Sequence, residues 1–339
     1  MTNSIKASEN IAATSKRVMV LGATGTIGRA TVRALVERGY DVVCFVRGAG
    51  EGRTAEQMQA RFYGAALRFG DVTDATSLSR DGFCGEHFDV LVSCLASRTG
   101  APKDAWAIDY QAHVVALEEA RKAGVSHMVQ LSAICVQKPL LAFQRAKLAF
   151  ESVLIESGVT YSIVRPTAFF KSLSGQIDRV KSGKPFLVFG DGALTACKPI
   201  SDDDLARYLA GCLDDASRHN RVLPIGGPGD AITPRQQGEE LFALLGRPPK
   251  FKHVPVALLD TIIWTLGTLG RVVPALADKA ELARIGRYYA TESMLVLDTA
   301  SGRYDAAATP SAGSEKLFDF YARVINGEAS VERGDHAVF

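Results

Sequence analysis

No two cysteines in this chain stand at C-x-x-C spacing, and no histidine pair neighbours one at the spacing of a zinc site. A dithiol redox motif and a structural zinc are therefore left out. The six cysteines are scattered, several of them in apolar runs, and read as reduced, buried thiols of a cytosolic protein. Neither sign of charge is in excess: 39 Lys and Arg stand against 37 Asp and Glu, a net charge of +2. No Lys/Arg cluster is present, which argues against nucleic acid as a partner. No uncharged apolar run reaches the roughly 18 residues of a membrane-spanning helix. The nearest, "VPVALLDTIIWTLGTLGRVVP" from Val254 to Pro274, is interrupted by Asp260 and Arg271. Met1 to Ser15 lacks the apolar core of a signal peptide and reads as a disordered tail.

What is present is an alternation of short apolar runs with helical periodicity. "RVMVLGATGTIGRATVRALVERGYDVVCFVR" reads as strand, glycine turn, helix, strand. "ALRFGDVTD", "FDVLVSCLAS", "SHMVQLSAI" and "TYSIVRPTA" supply four further strands, with helices expected over Tyr110–Ala123 and Phe143–Glu156. Short buried strands alternating with helices imply a Rossmann-type, doubly wound parallel sheet of the α/β class. The division expected is a tail over 1–15 and a nucleotide-binding domain over 16–170, completed by elements around 195–226. A smaller, mostly helical substrate lobe is built from 171–194 and 227–339. Within that lobe Thr233 is expected to cap a helix that begins at Pro234.

The segment "GATGTIG", Gly22 to Gly28, lies between the first strand and its helix. Glycines there keep the turn tight and let backbone approach a pyrophosphate, which the N–H groups of the helix N-terminus then face. Gly22, Thr24, Gly25, Thr26, Ile27 and Gly28 are the expected cofactor contacts. At the end of the second strand, where an NAD enzyme places an acid for the ribose hydroxyl, stands Arg47, whose guanidinium suits a 2′-phosphate. NADPH is therefore the expected cofactor. Asp71 and Val72 are placed at the adenine. Leu95, Ala96 and Ser97 are placed along the cofactor, because ligands sit at the carboxyl ends of parallel strands.

"LSAICVQKPLLAFQRAKLAFE", Leu131 to Glu151, resembles the catalytic stretch of a short-chain dehydrogenase, with Ser132 and Lys147 in place. Phe143 stands where the tyrosine of that family would be, and a phenyl ring has no proton to donate. Lys147 can still hold the nicotinamide ribose. Its competing reading is a solvated helical lysine, and that of Ser132 is a turn or capping serine. Ordinary ketone reduction loses its acid. Hydride addition to a conjugated C=C bond does not need that acid, because the charge delocalises and carbon can take its proton from water or from Lys147. A sensor that binds NADP(H) without turnover is the other outcome.

Together with "YSIVRPTAFFKSLSGQ", "GDGALTACKPISDDDLA", "VLPIGGPGDAITPRQQGE" and "IGRYYATESMLVLD", that stretch resembles the NADPH-dependent 8-vinyl reductases of divinyl chlorophyllide. These form an atypical short-chain dehydrogenase branch related to NmrA-like and isoflavone-reductase-like proteins. The similarity runs in order from about Arg17 to the end. It implies an enzyme that reduces the C8 vinyl group of a divinyl chlorophyllide or protochlorophyllide to ethyl, with magnesium belonging to the substrate. It also implies that Phe143 is the family's own residue. A plant form would carry a chloroplast transit peptide, for which this N-terminus is too short and too poor in Arg, so the expected source is a phototrophic bacterium, with the protein in its cytoplasm or peripheral to its photosynthetic membrane. A regulator of the NmrA-like kind and a reductase of a smaller alkene are the alternatives.

Pro166, Thr167 and Phe169 are expected to close over the nicotinamide. Tyr110, Phe143, Phe170 and Lys171 are expected on the substrate side, since a flat tetrapyrrole wants aromatic faces and its propionate a cation. Both phenylalanines after Ala168 read equally well as core. Tyr110 and His113 are weaker candidates for the proton. Arg287, Tyr288 and Tyr289 are further candidates that the sequence does not place. The Val254–Pro274 segment reads as a core helix, a lid over the macrocycle or a surface that touches membrane.

Overall fold

The computed structural model describes residues 15–48, 55–62 and 64–331. The tail expected over 1–15 lies outside the described residues except for Ser15. Eleven strands are found among them: β1 (Arg17–Leu21), β2 (Asp41–Val46), β3 (Ala65–Phe69), β4 (Val90–Ser93), β5 (His127–Leu131), β6 (Thr160–Pro166), β7 (Phe186–Phe189), β8 (Arg221–Ile225), β9 (Phe251–Val254), β10 (Val296–Asp298) and β11 (Arg303–Asp305). Seven form one parallel sheet in the order β3-β2-β1-β4-β5-β6-β8. Strand order reverses between β1 and β4, whose last residues Leu21 and Ser93 are in register. A parallel sheet opens its ligand crevice at such a reversal, beyond the carboxyl ends of the strands.

Both faces of the sheet are covered, which is why its strands read as unbroken apolar runs. Val18, Val20, Val42, Cys44, Val90 and Val92 face the helices Thr26–Glu37 and Asp202–Gly211. The alternate residues Met19, Leu21, Val43, Phe45 and Leu91 face His113–Lys122 and Ala142–Glu156. The two-residue period of the strand assigns each residue to its face.

Beyond β6 a second core forms around Phe170, Ile177, Val180, Phe186, Leu241 and Tyr321, with the parallel pair β7–β9 at its edge. Thr233 caps the helix Pro234–Leu244 by accepting from the Gln236 N–H, and the Gln236 side chain reaches back, a capping box. The helix Pro274–Thr291 lies over the start of the Ala142–Glu156 helix, where the Glu281 carboxylate accepts from the Ala142 N–H at 3.3 Å.

The apolar segment from Val254 to Pro274 is not core. It forms the helix Val256–Leu269, which pairs with Pro274–Thr291 as a hairpin and has no buried residue. Trp264 is 72% exposed and Val272 84%. Its apolar composition reads as burial only if a second layer covers it, and among the described residues no such layer exists. No helix among them is long and apolar enough to cross a membrane.

Candidate active site

The glycine turn is dictated by contact. Gly22 has φ +73, and a Cβ there would meet the Cys94 carbonyl oxygen at 2.6 Å and the Leu95 nitrogen at 2.7 Å. A Cβ on Gly28 would stand 2.1 Å from the Gly22 carbonyl oxygen. Only glycine lets β1, the turn and the loop after β4 close together. The helix Thr26–Glu37 starts on Gly25 with no side-chain cap and no acid in its first turn, so its first N–H groups are free to meet an anion. Thr24 and Gly25 are exposed, Thr26 is half-buried and Ile27 is buried. This cradle fits a dinucleotide pyrophosphate.

Lys171 lies beside this cradle. Its Nζ lies 3.1 Å from Thr26 Oγ1 at the N-terminus of the Thr26–Glu37 helix, away from the Tyr110–Phe143 pair with which it was expected to line the substrate side. Asp202 is close by. Burial raises its carboxyl from 3.8 to about 6 against the opposing charge of Lys171, and its Oδ1 is buried without a hydrogen-bond partner.

Arg47 is exposed just past the end of β2. Asp71, past β3, is held below the usual carboxylate range first by the Thr73 hydroxyl and N–H, and then by the charge of Arg47. The two residues therefore share one edge of the crevice. Val72 packs against the sheet core. Leu95 and Ser97 are half-buried and Ala96 exposed in the loop after β4.

Lys147 is not a solvated lysine. Its side chain is 8% exposed and its Nζ is 3.0 Å from Asp109 Oδ1, a carboxylate with no exposure. The Ser97 N–H donates to the same oxygen at 3.2 Å, tying the loop after β4 to the pair. Asp109 was not singled out from the sequence. It lies in a π-helical turn, Trp106–Ala112, between the regular helices Pro102–Ala105 and His113–Lys122. Its one sequence signal is a lone carboxylate in the apolar "AWAIDY".

Ser132 is buried and its hydroxyl donates to Glu151 at 2.5 Å; Glu151 also pairs with Arg165. The proton of Ser132 is thus committed to a structural carboxylate, which corrects the expectation of a catalytic hydroxyl. Phe143 is half-buried and packs with Tyr110 against Ala105, Ala142 and Ala146. The edge of Tyr110 meets Trp106, ring centroids 5.4 Å apart. A Cβ on Gly100 would meet Ile285 Cδ1 at 2.9 Å and Phe143 Cδ1 at 3.5 Å, so the loop after β4, the lysine helix and the helix Pro274–Thr291 meet at Gly100 beside Phe143.

His113 is excluded as an acid. Burial, and then the charge of Lys147, lower its pKa from 6.5 to about 4. Its Nδ1 is 2.8 Å from the Ile108 carbonyl, which can only accept, so Nδ1 carries the proton. Nε2 is left to accept from Ser93 Oγ at 2.8 Å and Gln130 Nε2 at 3.2 Å.

After β6, the Thr167 N–H donates to the Ile225 carbonyl at 2.9 Å, Phe169 bridges to Ile200, and Pro166 is the last residue of the strand. Phe170 is only 3% exposed and packs on Phe320, so of its two readings the core one is correct. Tyr288 is buried with its hydroxyl donating to the Cys135 carbonyl at 2.9 Å, and Arg287 pairs with Asp260 across the hairpin. Tyr289 remains partly exposed.

A family model described as NAD(P)H-binding matches residues 22–216. The chain is 50% identical, over 97% of its length and 84% of the relative, to a divinyl chlorophyllide a 8-vinyl-reductase, chloroplastic, from Oryza sativa subsp. indica. It is 52% identical, over 95% of its length and 79% of the relative, to the protein of the same name from Cucumis sativus. An NADPH-dependent quinone oxidoreductase from Escherichia coli, solved with NADPH, shares the fold at TM-score 0.64 and 18% identity, over 91% of this chain and all of that one. The expectation of a cytoplasmic protein from a phototrophic bacterium is overturned, because these relatives are chloroplastic plant enzymes. The chain is an oxidoreductase with an NAD(P)H-binding domain. By sequence, cradle and sheet together, the chain belongs to the NAD(P)H-binding family that contains the divinyl chlorophyllide a 8-vinyl reductases.

Proposed function

We propose that this chain reduces the C8 vinyl group of a 3,8-divinyl chlorophyllide or protochlorophyllide to ethyl. The observation that carries the reading is the junction at Phe143: the lysine of the same helix is kept, buried and paired with Asp109 from the turn Trp106–Ala112, while the position of the acid is an apolar ring packed among alanines. The nicotinamide supplies the hydride when bound. Everything else falls to the residues of the chain. Gly22 to Gly28 and Lys171 hold the pyrophosphate, and Arg47 holds the 2′-phosphate beside Asp71 and Val72 at the adenine. Leu95, Ala96 and Ser97 border the cofactor, Lys147 orients the nicotinamide ribose, and Pro166, Thr167 and Phe169 back the nicotinamide. Tyr110 and Phe143 offer aromatic faces to a flat macrocycle. Charge placed on the reduced vinyl carbon spreads into the conjugated ring, so carbon takes its proton without a phenol beside it.

The test is one assay. Purified protein is incubated with 3,8-divinyl chlorophyllide a and NADPH, with NADH in parallel, and the pigments are separated chromatographically. An NADPH-dependent 8-ethyl product is expected. NADPH binding with no product would overturn the reading and leave an NADP-binding regulator or a reductase of another alkene.

A further inference from the structure

Asp109, the carboxylate paired with Lys147, has hydrogen bonding that is only half complete. Its Oδ1 is used twice, by Lys147 Nζ at 3.0 Å and by the Ser97 N–H at 3.2 Å. Its Oδ2 is buried and has no hydrogen-bond partner. A bare carboxylate oxygen in the interior is costly, and native structures keep such groups where something else arrives to meet them. Four other side-chain atoms share that state among the described residues, on Arg17, Gln130, Gln144 and Asp202, but none of those residues pairs with Lys147. The backbone presents Asp109 through the widened turn Trp106–Ala112, a rare conformation that recurs at functional sites. The partner cannot be a protonated His113, whose Nδ1 and Nε2 are both engaged elsewhere.

We propose that Asp109 is a cofactor-binding residue at the nicotinamide end of the site, where Oδ1 fixes the Lys147 ammonium and Oδ2 accepts a hydrogen bond from a nicotinamide-ribose hydroxyl. The inference rests on the reading of Lys147 as the ribose residue. A ribose diol brings two O–H donors as well as acceptors. Lysine supplies donors only, so it leaves the diol's own protons unmet. Phe143 has no oxygen to take them. The carboxylate beside the lysine supplies that acceptor, and Ser97 holds it on the loop that borders the crevice.

The test compares two probes. NADPH contains the nicotinamide ribose; 2′,5′-ADP contains the adenosine half with its 2′-phosphate and lacks it. Titration of Asp109→Asn with each, against wild type, is expected to show NADPH weakened by about 10- to 100-fold and 2′,5′-ADP unchanged. Equal loss for both probes assigns Asp109 a purely structural role and overturns the proposal. No loss for either means that Oδ2 meets only a buried water, and overturns it as well.

Asp109→Asn leaves Lys147 without its counter-charge, which can unfold the chain. The neutral double variant Asp109→Asn/Lys147→Met removes both charges together and is titrated beside Lys147→Met. The double variant is expected to bind NADPH more weakly than Lys147→Met and 2′,5′-ADP equally. Identical NADPH affinities would overturn the proposal. No tetrapyrrole enters either titration, so this proposal and the vinyl-reductase reading fail separately.

Discussion

The hydroxyl of Ser132 donates a 2.5 Å hydrogen bond to Glu151, one helical turn beyond Lys147 on the same helix. Arg165 on β6 pairs with the same carboxylate. The end of β5, the lysine helix and β6 are therefore locked together through one buried acid. Lys147 and Glu151 both point toward the sheet, one to the crevice pair with Asp109 and one to the Ser132 anchor.

Removing that hydroxyl separates anchoring from chemistry. Ser132→Ala is expected to lower unfolding free energy by about 1.5–3 kcal/mol, the range for a hydrogen bond to a charged group. Turnover is expected to change by less than about threefold, because no bond made only in the transition state is lost. Urea unfolding and steady-state rates check both. A collapse of kcat at unchanged stability would return Ser132 to the substrate.

Arg47 and Asp71 share the crevice edge, and the exposed guanidinium is the cation expected to meet a 2′-phosphate. Arg47→Glu replaces an attractive charge with a repulsive one beside an existing carboxylate. The ratio of NADPH to NADH affinity is expected to fall by about 100-fold, as a charge-assisted contact is lost and a like charge gained. Parallel titrations with the two cofactors read it. An unchanged ratio would remove Arg47 from the phosphate.

The elements that the sequence makes legible are those decided locally. The glycine turn, the parallel strands, the Thr233 cap and the lysine helix each carry their own signal within a few residues. What escapes is decided by partners far along the chain. Lys171 reaches Thr26 across 145 residues, and no local pattern in the sequence announces that contact. Asp109 looks like a surface acid on a helix until the widened turn rotates it inward. Phe170 could be core or pocket until Tyr321 and Phe320 close on it. The helix Val256–Leu269 misleads in the other direction, since apolar composition reports what a segment tolerates and not whether a partner covers it.

Gly28 gives a prediction of steric origin. A methyl group 2.1 Å from the Gly22 carbonyl oxygen cannot be accommodated without moving backbone on β1 or on the helix. Gly28→Ala is expected to cost about 1–3 kcal/mol of stability by overpacking and to weaken NADPH beyond about 100-fold as the cradle opens. A melting curve and a cofactor titration test it. Binding within a few fold of wild type would show that the cradle is not the phosphate site.

Acid should loosen the fold through its buried histidines. Burial, and then Lys147, lower His113 from 6.5 to about 4; burial, and then His219, lower His127 by the same amount. Between those values the unfolded chain binds more protons than the folded one, so this stability is complete above about pH 6.5 and is lost as pH falls toward 4. Asp202 works in the opposite sense. Its raised pKa of about 6 makes the folded chain the better proton binder between 6 and 3.8, which adds stability as pH falls through that window. Two histidines outweigh one carboxyl of similar shift, so a net loss on the order of 2–4 kcal/mol is expected between pH 7 and pH 4.5. Urea midpoints at the two pH values measure it, and His127→Gln should shrink the difference. A stability that rose on acidification would mean that Asp202 dominates and that the two imidazoles are not held neutral by burial.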